Sequence, residues 1–306
     1  MAEENLPQVT ERHDNSMTDS HQWYEINHRP GDLVLCGYAK CGTTWAQNMI
    51  YQLLTNGDEN DELQKLMMQQ PWVDMQPTGV WESKQAKLDF IENMKPQKGY
   101  RHLKAHIPLT ALPYYKDSKY IYVTRNPRDV VMSLWNFIQS MHPPLFKAMG
   151  MTEDDTFDTF MPAWLTGKRD FPGFPPFTEH VGSFWKYRHL PNIMFLHFNE
   201  MKADLEGSLR KIQKFLDIEV PEEAWPRVVE RCGFAYMKAN ESKFEPPGDL
   251  TEKNRFLNSG KNDQWKEKKD FFTPELFAEA EEWYKRTLPP SGIKWMLTGE
   301  YDESED

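Results

Sequence analysis

Three short stretches of the chain carry residue types that could do chemistry together. The first is YAKCGTTW, residues 38–45, in which Lys40 lies between Gly37 and Gly42 and is followed by Thr43 and Thr44. At a strand-to-helix turn, Gly42 lets the backbone approach a ligand closely. The amides of Gly42, Thr43 and Thr44 would then face outward at the positive end of the helix. Such a turn is an anion cradle, to which Lys40 adds a charge and Trp45 a flat ring face. A nucleotide-binding loop places its lysine directly after the second glycine, whereas here Thr43 holds that place and the lysine sits within the turn.

The second stretch is HLKAHIPL, residues 102–109. On a strand, Lys104 and His106 project to one face together with His102. A cationic lysine lowers the pKa of a neighbouring imidazole, which keeps it available as a general base near neutral pH. The third is YVTRNPRDVVMSLWNF, residues 122–137, where Arg125 ends a strand and Asn126 and Pro127 open a helix that carries Ser133. An arginine fork and a hydroxyl so placed could grip one phosphate from two sides. Arg128 and Asp129 read as the ion-paired start of that helix. Each stretch alone also fits a structural reading: a plain turn, a core histidine, a capped helix.

The elements that must position these residues alternate along the chain. Strand-like runs occur at 32–38, 100–106, 119–125 and 192–198, most of them nearly continuous in apolar and β-branched or aromatic residues, as central strands covered on both faces are. Helical patterns follow at 43–54, 127–140 and 201–216, and the pattern at 274–286 closes the chain. The expected fold is α/β: a single domain with a central parallel sheet, helices on both faces and a P-loop-like phosphate-binding turn. Ligands then bind beyond the carboxyl ends of the strands, where Lys40, His106 and Arg125 fall. Residues 1–21 read as a flexible, charged segment with no core to pack on, 22–297 as the domain, and 298–306 as an acidic tail. The Pro-, Gly- and Phe-rich run 166–180 suits an aromatic lid, and 240–263 a long loop.

Composition narrows the partners. With 36 Lys and Arg against 47 Asp and Glu, the net charge of −11 argues against general affinity for nucleic acid or an anionic membrane. Three cysteines without metal-ligand spacing suggest neither a disulfide framework nor a metal site. No signal peptide and no apolar run long enough to span a bilayer is evident, so a cytoplasmic protein is expected.

Together the three stretches resemble the cytosolic sulfotransferase family, which moves a sulfuryl group from 3′-phosphoadenosine 5′-phosphosulfate (PAPS) to an acceptor and leaves PAP. The family's YPKSGTTW resembles YAKCGTTW, its KTHLP resembles KAHIP, and its YVxRNPxDVxxSxxxF resembles YVTRNPRDVVMSLWNF. Weaker similarity runs through 180–188, 197–204, 233–240 and 256–275, so the resemblance covers roughly residues 22–297. It implies that Lys40 stabilises charge on the departing phosphate and that His106 takes the acceptor's proton. Lys104 would steady the sulfuryl oxygens. The loop from Lys40 and Cys41 through Gly42, Thr43 and Thr44 would cradle the 5′-phosphate. Trp45 would stack on adenine and Arg125 with Ser133 would hold the 3′-phosphate. Phe198, Phe234, Asn258, Ser259 and Gly260 complete the implied cofactor site, and no metal is required.

The match departs from the family in places. Ala39 and Cys41 replace a proline and a serine; that serine restrains the lysine, so PAPS hydrolysis without acceptor is expected to be measurable. Asn258-Ser259-Gly260 replaces the vertebrate Arg-Lys-Gly and is nearer to bacterial and invertebrate members, with Lys253, Arg255 or Lys261 placed to compensate. Phe198 stands for a frequent tyrosine, and Cys232-Gly233 for the usual Thr-Ser. The vertebrate dimer signature is not present, and no dimer is inferred. Trp72, Trp81, Phe137 and the Phe171 to Phe177 run are candidate walls for a small-molecule acceptor: a phenol, a steroid-like alcohol, or, beside Asp74 or Glu82, a cationic amine. A nucleotide-dependent kinase, a non-catalytic nucleotide-binding relative and a sulfate-assisted dehydratase are the alternatives.

Overall fold

A computed structural model describes residues 6–58, 65–77, 80–245, 252, 256–257, 259–268 and 270–301. Alternation along its strands sorts their side chains into two cores. Strands β1 (Asp32–Gly37), β2 (Arg101–Ala105), β3 (Lys119–Thr124) and β4 (Ile193–His197) form a parallel sheet in the order β2-β1-β3-β4. Successive residues of a strand point to opposite faces. Val34, Cys36, Leu103, Ala105, Tyr120 and Tyr122 accordingly enter one cluster and Leu33, Leu35, Ile121, Val123, Met194 and Leu196 the other. Helices Pro127–Ser140, Phe157–Leu165 and Phe177–Trp185 cover the first face through Val130, Phe160 and Phe184. Helices Thr43–Thr55, Leu205–Leu216 and Trp225–Cys232 cover the second through Ile50, Leu209 and Val228. The strands begin where the reading of apolar runs places them, to within one residue at each boundary.

Local chemistry sets the helix ends. Asn126 accepts the amide of Arg128 ahead of Pro127 at the first helical position. The helix expected over 201–216 is two helices, Phe198–Ala203 and Leu205–Leu216, because Asp204 leaves helical geometry and caps the second by accepting the amide of Gly207 at 2.8 Å. The helix from Pro274 does not close the chain, since Pro290 opens another over Pro290–Thr298 whose Trp295 stacks on Trp185 at 5.0 Å.

Two segments expected to be loose are packed. The amides of Thr10 and Glu11 donate to the carbonyl of Thr110 and that of Asp19 to the carbonyl of Asp74, while Thr18 and Ser20 are buried. Polar composition hid this contact because its bonds are mostly made by backbone. In the 166–180 run, Phe171 and Phe177 are 1% exposed and Phe177 opens the helix Phe177–Trp185, so the run is packed, while Phe171 and Phe174 also line the cavity at the strand ends. Of 240–263, Glu241–Lys243 forms a 3-10 turn.

Candidate active site

The turn after β1 is held in a conformation that most residues avoid. Lys40 has φ 64° and Gly42 φ 95°, both left-handed, and the helix starts directly at Thr43 with no side-chain cap on its amides. A Cβ at Gly42 would lie 2.6 Å from the Phe198 ring, so only glycine lets β1, the turn and Phe198 close on one space. The Lys40 ammonium stands 4.6 Å from the centre of the Phe137 ring and 4.9 Å from that of Phe256. Burial, and next the Arg125 charge, pull its pKa down to about 8.

Beyond β2, His106 is buried and its Nδ1 lies 2.5 Å from the Gly37 carbonyl. That oxygen can only accept, so Nδ1 carries the proton and Nε2 is left with its lone pair. Burial, and then Lys104, hold the imidazole pKa well below its ordinary value. Lys104 is pulled down to about 7 by burial, against the opposing pull of Asp74. Trp72 meets His106 edge-on at 4.6 Å and Phe174 does so at 5.7 Å. Asp74 ties this corner together: it accepts the indole N–H of Trp72 at 2.6 Å, that of Trp23 at 3.1 Å and the backbone amide of His106 at 3.2 Å. It is fully buried, bonded to these three groups and not on the cavity lining, so it makes no direct contact with a cation bound there, contrary to the expectation for the Trp72 wall.

Beyond β3, Arg125 donates to the Lys261 carbonyl at 2.9 Å and to Asn262 Oδ1 at 3.1 Å, and lies 4.1 Å over the Phe198 ring. Its Nε is buried without a partner. Asp129 sits 4.0 Å from Arg125, has its Oδ1 buried without a hydrogen-bond partner, and lines the same space, a place beyond the helix start assigned to it from sequence.

All three strand exits open into one cavity of about 420 Å³. It is lined by Lys40, Gly42, Thr43, Thr44, Trp45, Trp72, Lys104, His106, Arg125, Ser133, Phe137, Phe198, Phe234, Ser259 and Gly260. The Trp45 indole N–H donates to the Cys232 carbonyl at 2.8 Å, which fixes its ring. Asn258, Lys253 and Arg255 lie outside the described residues. Cys41 is not on the lining: its side chain is fully buried, and burial pushes its thiol up to about 12. Trp81 is not there either, packing on Phe90 at 5.1 Å instead, and His102 is buried away from the lining. Sequence reasoning missed Met17, Met67, Met75, Met141, Met149 and Phe256 on the wall, and no spacing rule marks them. Lys261, noted as a replacement cation, does line the cavity, and so does Lys202, which holds the Gly260 carbonyl at 2.8 Å.

Among the described residues no cluster of His, Cys, Asp and Glu could hold a metal, and no helix is long and apolar enough to cross a membrane. The sulfotransferase domain family matches residues 30–292. Sulfotransferase 1 family member D1 from Rattus norvegicus is 28% identical over 287 residues, covering 90% of each chain. Sulfotransferase 1E1 from Homo sapiens is 26% identical over 275 residues, covering 87% of each. Among solved structures, retinol dehydratase in complex with androsterone and the inactive cofactor PAP superimposes with TM-score 0.70 at 23% identity, over 89% of this chain and 84% of that one. Mouse sulfotransferase SULT7A1 complexed with PAP does so with TM-score 0.69 at 21% identity, over 93% and 94%. The family match spans most of the chain and takes in all three strand exits, and on that ground the protein belongs to the sulfotransferase domain family.

Proposed function

We propose that the protein transfers a sulfuryl group from PAPS to the hydroxyl or amine of a small, uncharged, largely apolar acceptor. The observation that carries this reading is that Lys40, Lys104 and His106 share a single cavity with Arg125 and Ser133. The residues fit the donor. The buried, unpartnered Nε of Arg125 with the Ser133 hydroxyl and Lys261 suits the 3′-phosphate, and the uncapped amides of Thr43 and Thr44 suit the 5′-phosphate. Trp45, fixed by its bond to Cys232, offers its face to adenine. The two PAP complexes of the same fold are in keeping with that fit.

When bound, PAPS supplies an activated sulfuryl group on a phosphate leaving group. His106 accepts the acceptor's proton at Nε2, with Nδ1–H pinned to Gly37 so that the tautomer is set before the acceptor arrives. Lys40 would stabilise the charge that grows on the departing phosphate, and Lys104 would steady the sulfuryl oxygens. Asp74 positions His106 and Trp72 together. An amine acceptor reacts in its neutral form, because only that form has a lone pair to attack sulfur, and Asp74, already bonded, is not on the cavity lining.

The test mixes protein and PAPS with an extract of the source cells and looks for products heavier by one SO₃. The expected result is such a product from wild type and none from His106→Ala. Product formation that persists in the variant, or a product lighter by one water, overturns the reading in favour of other chemistry.

A further inference from the structure

The aromatic corner of the cavity is closed by a segment that the family match, residues 30–292, does not include. Residues 15–18 form a tight turn in which Asn15 Oδ1 accepts the amides of Met17 and Thr18, each at 2.9 Å. The Asn15 side-chain amide donates to Thr18 Oγ1 at 3.0 Å, and its backbone amide to the Thr18 carbonyl at 2.9 Å. The turn is clipped to two other loops. Gln76 donates its backbone amide to the Met17 carbonyl at 2.8 Å and its side chain to the Asn15 carbonyl at 3.3 Å. Thr18 forms an antiparallel bridge with Met75, and its hydroxyl reaches the Gly173 carbonyl at 3.4 Å. Gly173 has φ +83°, and a Cβ there would lie 2.6 Å from Met17 Cγ, so the glycine is what allows the turn to seat. Met17 thereby lines the cavity, as do Met75 and Phe174 from the two loops that hold it.

We propose that the turn of residues 15–18 sets the girth of the acceptor, with Met17 as its specificity-determining side chain. The inference rests on reading the Trp72 and His106 side of the cavity as the acceptor site. The backbone of Met17 is fixed by bonds on both sides, so the wall cannot retreat as a unit. Its side chain is unbranched and adapts to shape. A wall of that kind admits slender aryl or alkyl alcohols and turns away rigid fused rings, because only the thioether, and not the chain that carries it, can yield.

The experiment follows quenching of tryptophan fluorescence, with Trp72 on the wall, by para-alkylphenols of increasing bulk and one fused-ring alcohol, in the presence of PAP. Met17→Ala is expected to tighten the bulkiest probes relative to phenol by about tenfold, the scale on which small changes of an apolar pocket discriminate, with PAP affinity unchanged. Met17→Trp should move the series the other way. Asn15→Ala, which loosens the turn without touching the cavity, should act like Met17→Ala to a smaller degree. A bulk series that stays within twofold of wild type in both Met17 variants overturns the proposal while leaving the acceptor site intact. A wild-type protein that binds PAP but no phenol or alcohol overturns the acceptor reading and this proposal with it.

Discussion

Around Lys40, Gly42 and Arg125 the cavity wall is made of backbone amides, fixed cations and a helix start, and each of these groups lies within a few residues of a strand end. Around Met17, Trp72 and Phe174 it is made of apolar side chains from segments far apart in the chain, joined by bonds such as Thr18 to Gly173 and Trp23 to Asp74. The first region meets a ligand with charge whose position the sheet dictates. The second meets it with shape, and shape depends on how loops happen to pack. His106 stands at the junction, tied by its ring to β1 and by its amide to Asp74.

The comparison can be broken at that junction. Removing the imidazole in His106→Ala should lower turnover by roughly 10² to 10⁴, the usual worth of a general base, with PAP affinity retained; single-turnover transfer and calorimetry measure the two separately, and a loss of PAP binding would place His106 in the charged region instead. Next in size is Arg125→Leu. It should lower the preference for PAP over its 3′-dephospho form by about tenfold to a hundredfold, as losing a charge-assisted bond does, and leave any acceptor series unmoved. An equal loss for both nucleotides would mean that Arg125 holds the loop of residues 259–264 rather than a phosphate.

Protons sharpen the contrast further. Lys104 and Lys40, pulled down to about 7 and about 8, are partly neutral at pH 8, and a bound anion favours their charged forms. PAP binding should therefore take up protons between pH 7 and 9, and its affinity should fall as pH rises through that window; calorimetry in buffers of differing ionisation enthalpy reads this directly, and proton release would contradict it. The smallest effect expected is on stability in acid. His102 and His180 are pulled down to about 3 by burial, and His106 lies well below its ordinary value. These rings stay neutral in the fold, whereas the unfolded chain binds protons near pH 6.5, so stability falls as pH drops below that point. The thermal midpoint should decline between pH 6.5 and 5, and a flat profile would mean that these sites are hydrated rather than dry.

The same division separates the legible residues from the rest. Lys40 and Arg125 could be placed from sequence because a strand of nearly continuous apolar residues announces its own end, and the residues just past that end reach the crevice; His106, after the more polar run 100–106, and Ser133, within a helix, were legible through the motifs that resemble the family's. The expectation for Cys41 fails for a local reason. In a turn with two left-handed residues neighbouring side chains diverge sharply, so Lys40 faces the cavity while Cys41 is buried off its lining. The expectation for Trp81 fails because an aromatic residue carries no mark of which surface it covers, and here that surface is Phe90.

The amino-acid sequence alone determined the parallel sheet, the strand-to-helix turns and the charged groups at their ends, since these depend on residue periodicity and on conformational preferences acting over a few residues. Only the tertiary structure decided that Asp74 is spent on two indoles and an amide, that residues 6–21 pack on the domain, and that Met17 reaches the cavity. Those outcomes are set by contacts between segments separated by tens to more than a hundred residues, where close packing, rather than any local preference, selects the partner.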